Sequence, residues 1–192
     1  MGVILSCLPD VLVAAAAAAA GFLVLPSDVA AFAAGLAGLV GVIAAVDRRV
    51  FLIPDTAVLA LAAAGLALAA HEAAADDRVT AVADAIARGL LAGLAFWSLR
   101  ALHQAWRGVE GLGLGDVKLA AAGAPWLAWG TMVPVLELAV LGALIAILAE
   151  AGLRRAGPRL DDRVPFGVFL APALWAGFLA ERTGLLARVW PL

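Results

Sequence analysis

Cysteine is nearly absent from this 192-residue chain: Cys7 stands alone. One thiol excludes an internal disulfide framework, a four-cysteine iron–sulfur cluster and a cysteine-rich zinc site, so Cys7 reads as a small apolar residue near a helix start. Charge is scarce as well, at 15% of residues, with 13 basic against 15 acidic side chains and a net charge of −2. That balance offers nucleic acid no basic surface, and no nucleic-acid partner is expected. Only two histidines occur, His71 and His103; the topology below puts the membrane between them, so no metal site is expected. No Lys or Arg precedes Arg48. The apolar N-terminal stretch therefore lacks the positive region of a secretory signal, and residues 11–25 read as a retained span.

What the chain has in excess is hydrocarbon. Residues of the apolar set make up 65% of it, and 20 glycines come in addition, against roughly 45–50% apolar with glycine counted in a soluble domain. So small a domain cannot hide that surplus from water. The solvent must be a bilayer. At about 20 residues per crossing, the hydropathy pattern predicts an all-α polytopic bundle of about seven spans, six to eight. They lie near 5–25, 29–46, 55–70, 84–103, 114–130, 132–150 and 165–181. The fifth and sixth are separated only by Trp129, Gly130 and Thr131, so a hairpin that does not fully cross is the alternative there. The alanine run at 14–20 is strongly helical and suits close helix packing in lipid. A single membrane-embedded domain over residues 1–192 is expected, without a soluble N-terminal domain.

Loop charges orient the bundle. If residues 47–54 face the cytoplasm, alternation brings 100–118 and 150–164 to the same side, and these stretches hold nine of the 13 basic residues. The opposite loop at 71–78 carries Glu72, Asp76 and Asp77 against Arg78. This asymmetry follows the positive-inside rule. The tryptophans Trp97, Trp106, Trp126, Trp129, Trp175 and Trp190 fall mostly near span ends and read as interfacial anchors. Residues 154–163 read as a solvated cytoplasmic loop.

Ionisable groups within or at the edge of spans are functional suspects. Here they are Asp47, Asp84, Asp116, Glu137 and Glu150. Asp47 closes the second span, and Asp116 opens the fifth inside Gly113-Leu114-Gly115-Asp116-Val117-Lys118-Leu119. Two spans separate them, an even number, so both return to one face and one depth although 69 positions lie between them. Two carboxylates brought close cannot both ionise cheaply; one keeps a proton while the other acts as base, the arrangement that activates water in aspartic proteases. Gly113 and Gly115 clear the approach to Asp116 for an extended substrate and permit positive φ. Lys118 either pairs with a carboxylate or lipid phosphate or helps hold substrate, whereas Asp55 reads as the cap of the third span after Pro54. Glu137 reads as a bundle-facing or interfacial carboxylate.

Three blocks carry a resemblance. Asp47-Arg48-Arg49-Val50-Phe51-Leu52-Ile53-Pro54-Asp55, the Gly113–Leu119 block and Val164-Pro165-Phe166-Gly167-Val168-Phe169-Leu170-Ala171 resemble the type IV prepilin peptidases, membrane aspartic proteases with a Gly-x-Gly-Asp motif. The likeness runs from about 45 to 172. It implies that Asp47 and Asp116 are the catalytic pair, that Gly113, Gly115, Lys118 and Pro54 shape the site or bind substrate, and that neither metal nor other cofactor is needed. It implies too that the substrate is a prepilin or pseudopilin, cut on the cytoplasmic side of the bacterial inner membrane. Val168 stands where the family usually has Pro. Larger members add a domain with two cysteine pairs and N-methylate the new pilin end; this chain looks like the short form associated with Flp/Tad-type pili, so no methyl transfer is expected. The competing classes are a transporter or channel that uses the carboxylates as a proton or cation relay, and an assembly subunit without activity. No oligomeric state is expected from the sequence.

Overall fold

The computed structural model describes residues 15–21, 23–109, 111–154 and 165–189. Most of the first expected span, Cys7, Trp190 and nearly all of the 154–163 loop lie outside the described residues. Among the described residues there are helices and no strands. Residues 15–21 are helical, and after them come, in chain order, α1 (Ser27–Val50), α2 (Asp55–Glu72), α3 (Arg78–Arg107), α4 (Leu114–Gly123), α5 (Met132–Arg154), α6 (Gly167–Arg182) and the short α7 (Leu185–Val189), with 3₁₀ turns at Ala75–Asp77 and Ala124–Trp126. Among the described residues four helical stretches are long and apolar enough to cross a membrane: Ser27–Val50, Asp55–Glu72, Ala75–Arg107 and Met132–Gly152. The chain is an all-α polytopic protein.

The buried stripe of α1 explains where its acid goes. Val29, Ala33, Leu36, Val40, Ile43 and Asp47 are buried, at intervals of four, three, four, three and four that keep one helical face inward. Asp47 continues this face, so helical periodicity turns it into the bundle while Arg48 and Arg49 point out. Asp28 in the first turn and the two arginines in the last complement the helix dipole.

The expected fifth span is not one helix. α4 has ten residues, about 15 Å of rise, roughly half of a hydrocarbon core. A 3₁₀ turn and extended backbone at Leu127 follow it, the Ala128 amide and the Thr131 hydroxyl reach Glu181 at the far end of α6, and among the described residues this segment is not one of the helices long and apolar enough to cross a membrane. Pro125 and the run Gly123-Ala124 end regular helix there, since Pro cannot supply the next amide hydrogen. Irregular backbone is tolerated there because this segment is buried in protein.

Trp126 is the tryptophan that departs from expectation. It is 2% exposed, donates from Nε1 to the Leu61 carbonyl at 2.9 Å and meets Phe178 edge to face. Gly65 makes the room: a methyl there would lie 2.8 Å from Trp126 Nε1. Trp97 and Trp106 are exposed. α6 packs most extensively against α1 and α5, and α4 against α3.

Hydrogen bonds sort the two ends of the bundle. At one end lie the C-terminus of α1 and the N-termini of α2, α4 and α6, joined by Asp47–Val168 and Lys118–Asp55. At the other, Arg182 grips Glu72 through two hydrogen bonds, Glu181 accepts from the Ala128 amide and the Thr131 hydroxyl, and Trp129 donates to Asp84. Asp84, paired also with Arg88, is thereby a structural tie away from the acid pair. Glu137 is exposed on α5.

Candidate active site

Asp47 sits in the last turn of α1 and is 5% exposed. Its Oδ2 accepts the backbone N–H of Val168 at 3.1 Å, and the backbone of Gly167 also hydrogen-bonds it. These are the first residues of α6, whose opening amides have no carbonyl a full turn behind them. A carboxylate from a distant helix therefore caps α6, at the end where the dipole favours negative charge. Gly167 is what lets it in: a methyl at that position would lie 2.7 Å from Asp47 Oδ2 and 3.0 Å from Ile53 Cδ1.

Asp116 is the third residue of α4 and 8% exposed. It turns back to hydrogen-bond the backbone of Gly113, the N-cap residue, which is the one half of a capping box that a glycine N-cap permits. Neither motif glycine uses the positive φ that the sequence left open: Gly113 has φ −65°, and positive-φ glycines among the described residues are Gly108 and Gly184. Close approach is the reason for them instead. A methyl on Gly113 would lie 3.0 Å from Asp116 Oδ2, and one on Gly115 3.2 Å from Ile53.

Both acids line one cavity of about 320 Å³, together with Phe51, Leu52, Ile53, Asp55, Gly113, Leu114, Gly115 and Lys118. They are near enough for the charge of Asp47 to act on Asp116. Lys118 Nζ donates to Asp55 Oδ1 at 2.8 Å, so of the partners open to Lys118 the structure shows a carboxylate. Asp55 opens α2 but makes no capping hydrogen bond at Pro54; its carboxylate goes to Lys118 at the cavity. This corrects the expectation that Asp55 mainly caps. Pro54 does the capping by its backbone, its carbonyl accepting the amides of Ala57 and Val58, and it stands beside the cavity wall rather than on it.

Several contributors escaped the sequence reading. Gly167 and Val168 act through backbone groups, which carry no side-chain signal. Arg100 donates to the Leu112 carbonyl and His103 Nδ1 hydrogen-bonds the Val109 carbonyl at 3.2 Å, so the last turns of α3 hold the strand of chain that delivers Gly113. Their spacing of three on one helix, just before the glycine-rich turn, was the available signal. Among the described residues no group of three or more His, Cys, Asp or Glu is placed to hold a metal ion. Chemically, two buried carboxylates in one cavity form an acid and a base as soon as one keeps its proton.

Residues 34–148 match the model of the type IV leader peptidase family. The prepilin leader peptidase/N-methyltransferase of Burkholderia pseudomallei is 35% identical over 167 residues, which is 85% of this chain and 51% of that protein. Proteins of the same name from Pseudomonas putida and Dichelobacter nodosus are 34% and 39% identical over 97 and 87 residues, covering 50% and 45% of this chain and 33% and 28% of theirs. The chain thus spans about half the length of the Burkholderia relative. No solved structure matches it.

Proposed function

The chain belongs to the type IV leader peptidase family, and on that premise we propose that it is an aspartic endopeptidase that removes the leader of a prepilin or pseudopilin. The supporting observation is the meeting of Asp47 and Asp116, from segments 69 positions apart, in one cavity where each is buried yet open to a substrate chain. In the reactive state one carboxylate is ionised and the other protonated. The ionised group takes a proton from water as the water oxygen attacks the scissile carbonyl carbon; the protonated group supplies a proton toward the carbonyl oxygen. Collapse of the tetrahedral species breaks the C–N bond: the proton taken from water passes to the departing amine, and one hydroxyl proton of the collapsing species returns to the carboxylate that had given its own up, restoring the singly protonated pair. The leader leaves with a new carboxyl group, the pilin with a free amine. The shared proton belongs to the pair rather than to one residue.

The grouping of Arg48, Arg49, Arg107 and Lys118 near this end supports a cytoplasmic position for the site under the positive-inside rule, in a bacterial inner membrane. The glycines favour an extended substrate backbone close to Asp116, and the substrate helix arrives laterally from the bilayer. We propose leader cleavage without the methyl transfer that the relatives' names also carry. Asp47→Asn and Asp116→Asn test the reading: each abolishes leader removal when co-expressed with a prepilin, while the protein stays in the membrane fraction. Leader removal by either variant at the wild-type rate refutes it.

A further inference from the structure

Phe51 ends α1 with φ 53° and ψ 38°, and it is the one non-glycine residue with positive φ among the described residues. This left-handed position after a helix is the place where glycine or asparagine is ordinarily found, and a bulky aromatic is an outlier there. Burial does not explain the ring, which is 55% exposed. Yet the ring lines the cavity that holds both acids, beside Leu52 and Leu114, which are also exposed. Phe51 follows Asp47 by four residues and Leu114 precedes Asp116 by two, so each acid brings an apolar side chain to the same mouth. A conformation that costs stability and presents an unsheltered ring beside reactive groups points to use outside the fold.

We propose that Phe51 and Leu114 form an apolar subsite which receives an apolar side chain flanking the scissile bond of the substrate. Closing this pair over such a side chain excludes water from the apolar wall and seats the adjacent peptide bond over the acids. The chemistry follows from the lining: apolar faces supplied by two chain segments, continuous with the acid pair, with the Lys118–Asp55 ion pair supplying the polar part of the cavity. The inference rests on the peptidase reading above.

Phe51→Gly provides the test, because glycine accepts the left-handed backbone and removes only the ring. The full chain, reconstituted in liposomes, is assayed on a prepilin-type substrate and on versions in which each apolar residue flanking the cut is replaced by serine. For the apolar substrate kcat/KM of Phe51→Gly falls at least about tenfold, mainly through KM, whereas for the serine versions, already poor, it changes less than about twofold. The thermal midpoint stays level or rises. Phe51→Asn, equally at ease in that conformation but polar, behaves like the glycine variant, and Phe51→Leu retains most of the preference. Equal cleavage by Phe51→Gly and wild type, or an equal loss on all substrates, as expected of a lipid anchor, overturns the subsite alone. A wild type that cuts no prepilin-type substrate overturns the peptidase reading along with it.

Discussion

Replacing Gly167 with alanine adds one methyl group at the point where α6 receives Asp47. That methyl would stand 2.7 Å from Asp47 Oδ2, 3.1 Å from its Cγ and 3.0 Å from Ile53 Cδ1. Carbon–oxygen contacts settle near about 3.3 Å, so the carboxylate must retreat by roughly 0.6 Å. The retreating atom is the one that accepts the Val168 amide at 3.1 Å, and the displacement takes that contact past the range of a true hydrogen bond. A hydrogen bond to a charged group is worth about 1.5–3 kcal/mol, which converts to a loss of roughly ten- to a hundredfold in rate if it is held through the reaction. The fold suffers less, because alanine is a better helix former than glycine by about 1 kcal/mol. Leader removal followed on gels with purified, reconstituted protein should therefore show kcat/KM of Gly167→Ala down ten- to a hundredfold, with a thermal midpoint changed by only a few degrees. Gly38→Ala, on the exposed side of α1 with nothing within 4 Å of the added methyl, is the control and should cleave like wild type. Unchanged cleavage by Gly167→Ala would refute the idea that α6 holds Asp47 in its working position.

The remaining predictions separate backbone from side-chain roles. Val168→Pro deletes one amide that Asp47 accepts, at a first-turn position where proline is tolerated, without pushing the carboxylate away from its other partner as Gly167→Ala does; because Gly167 still hydrogen-bonds Asp47, cleavage should fall by about tenfold, the low end of the range for Gly167→Ala, and abolition as complete as in Asp47→Asn would contradict the shared hold. Gly123→Ala would put a methyl 2.6 and 2.7 Å from the two Leu174 methyls, overpacking the α4–α6 contact at a cost of about 1–3 kcal/mol; an unshifted thermal midpoint in detergent would show that this contact yields easily. Lys118→Met removes an ion pair whose side chains are 43% and 68% exposed, so its effect on thermal stability should stay below about 1 kcal/mol, and a larger drop would mean that the pair braces the cavity.

The acids were legible before the fold because two local rules act on them. Parity of the spans brings Asp47 and Asp116 to one face, and the intervals along α1 turn Asp47 inward from any neighbouring segment's point of view. Their neighbours were less legible. Asp55 looks like a cap in one dimension, since an acid after proline at a helix start has that role available; Lys118, 63 positions away, outcompetes the local amides for it. Trp126 near a span end looks like an interfacial anchor, and only the notch at Gly65 and the carbonyl of Leu61 within reach of its Nε1 draw it inside. The split of residues 114–130 into a short helix and a turn turned on packing too, because an apolar run reads as one helix until a neighbour satisfies its unpaired carbonyls.

The amino-acid order by itself determined the solvent, the helical class and the face on which each acid emerges, since these depend on hydrocarbon content and on a period of 3.6 residues, both local. Tertiary structure alone decided which distant groups meet: the opening amides of α6 at Asp47, and Phe51 and Leu114 beside both acids at one cavity. Backbone donors are the same in every residue, so their use is invisible until distant segments meet and one carboxylate comes within reach of them.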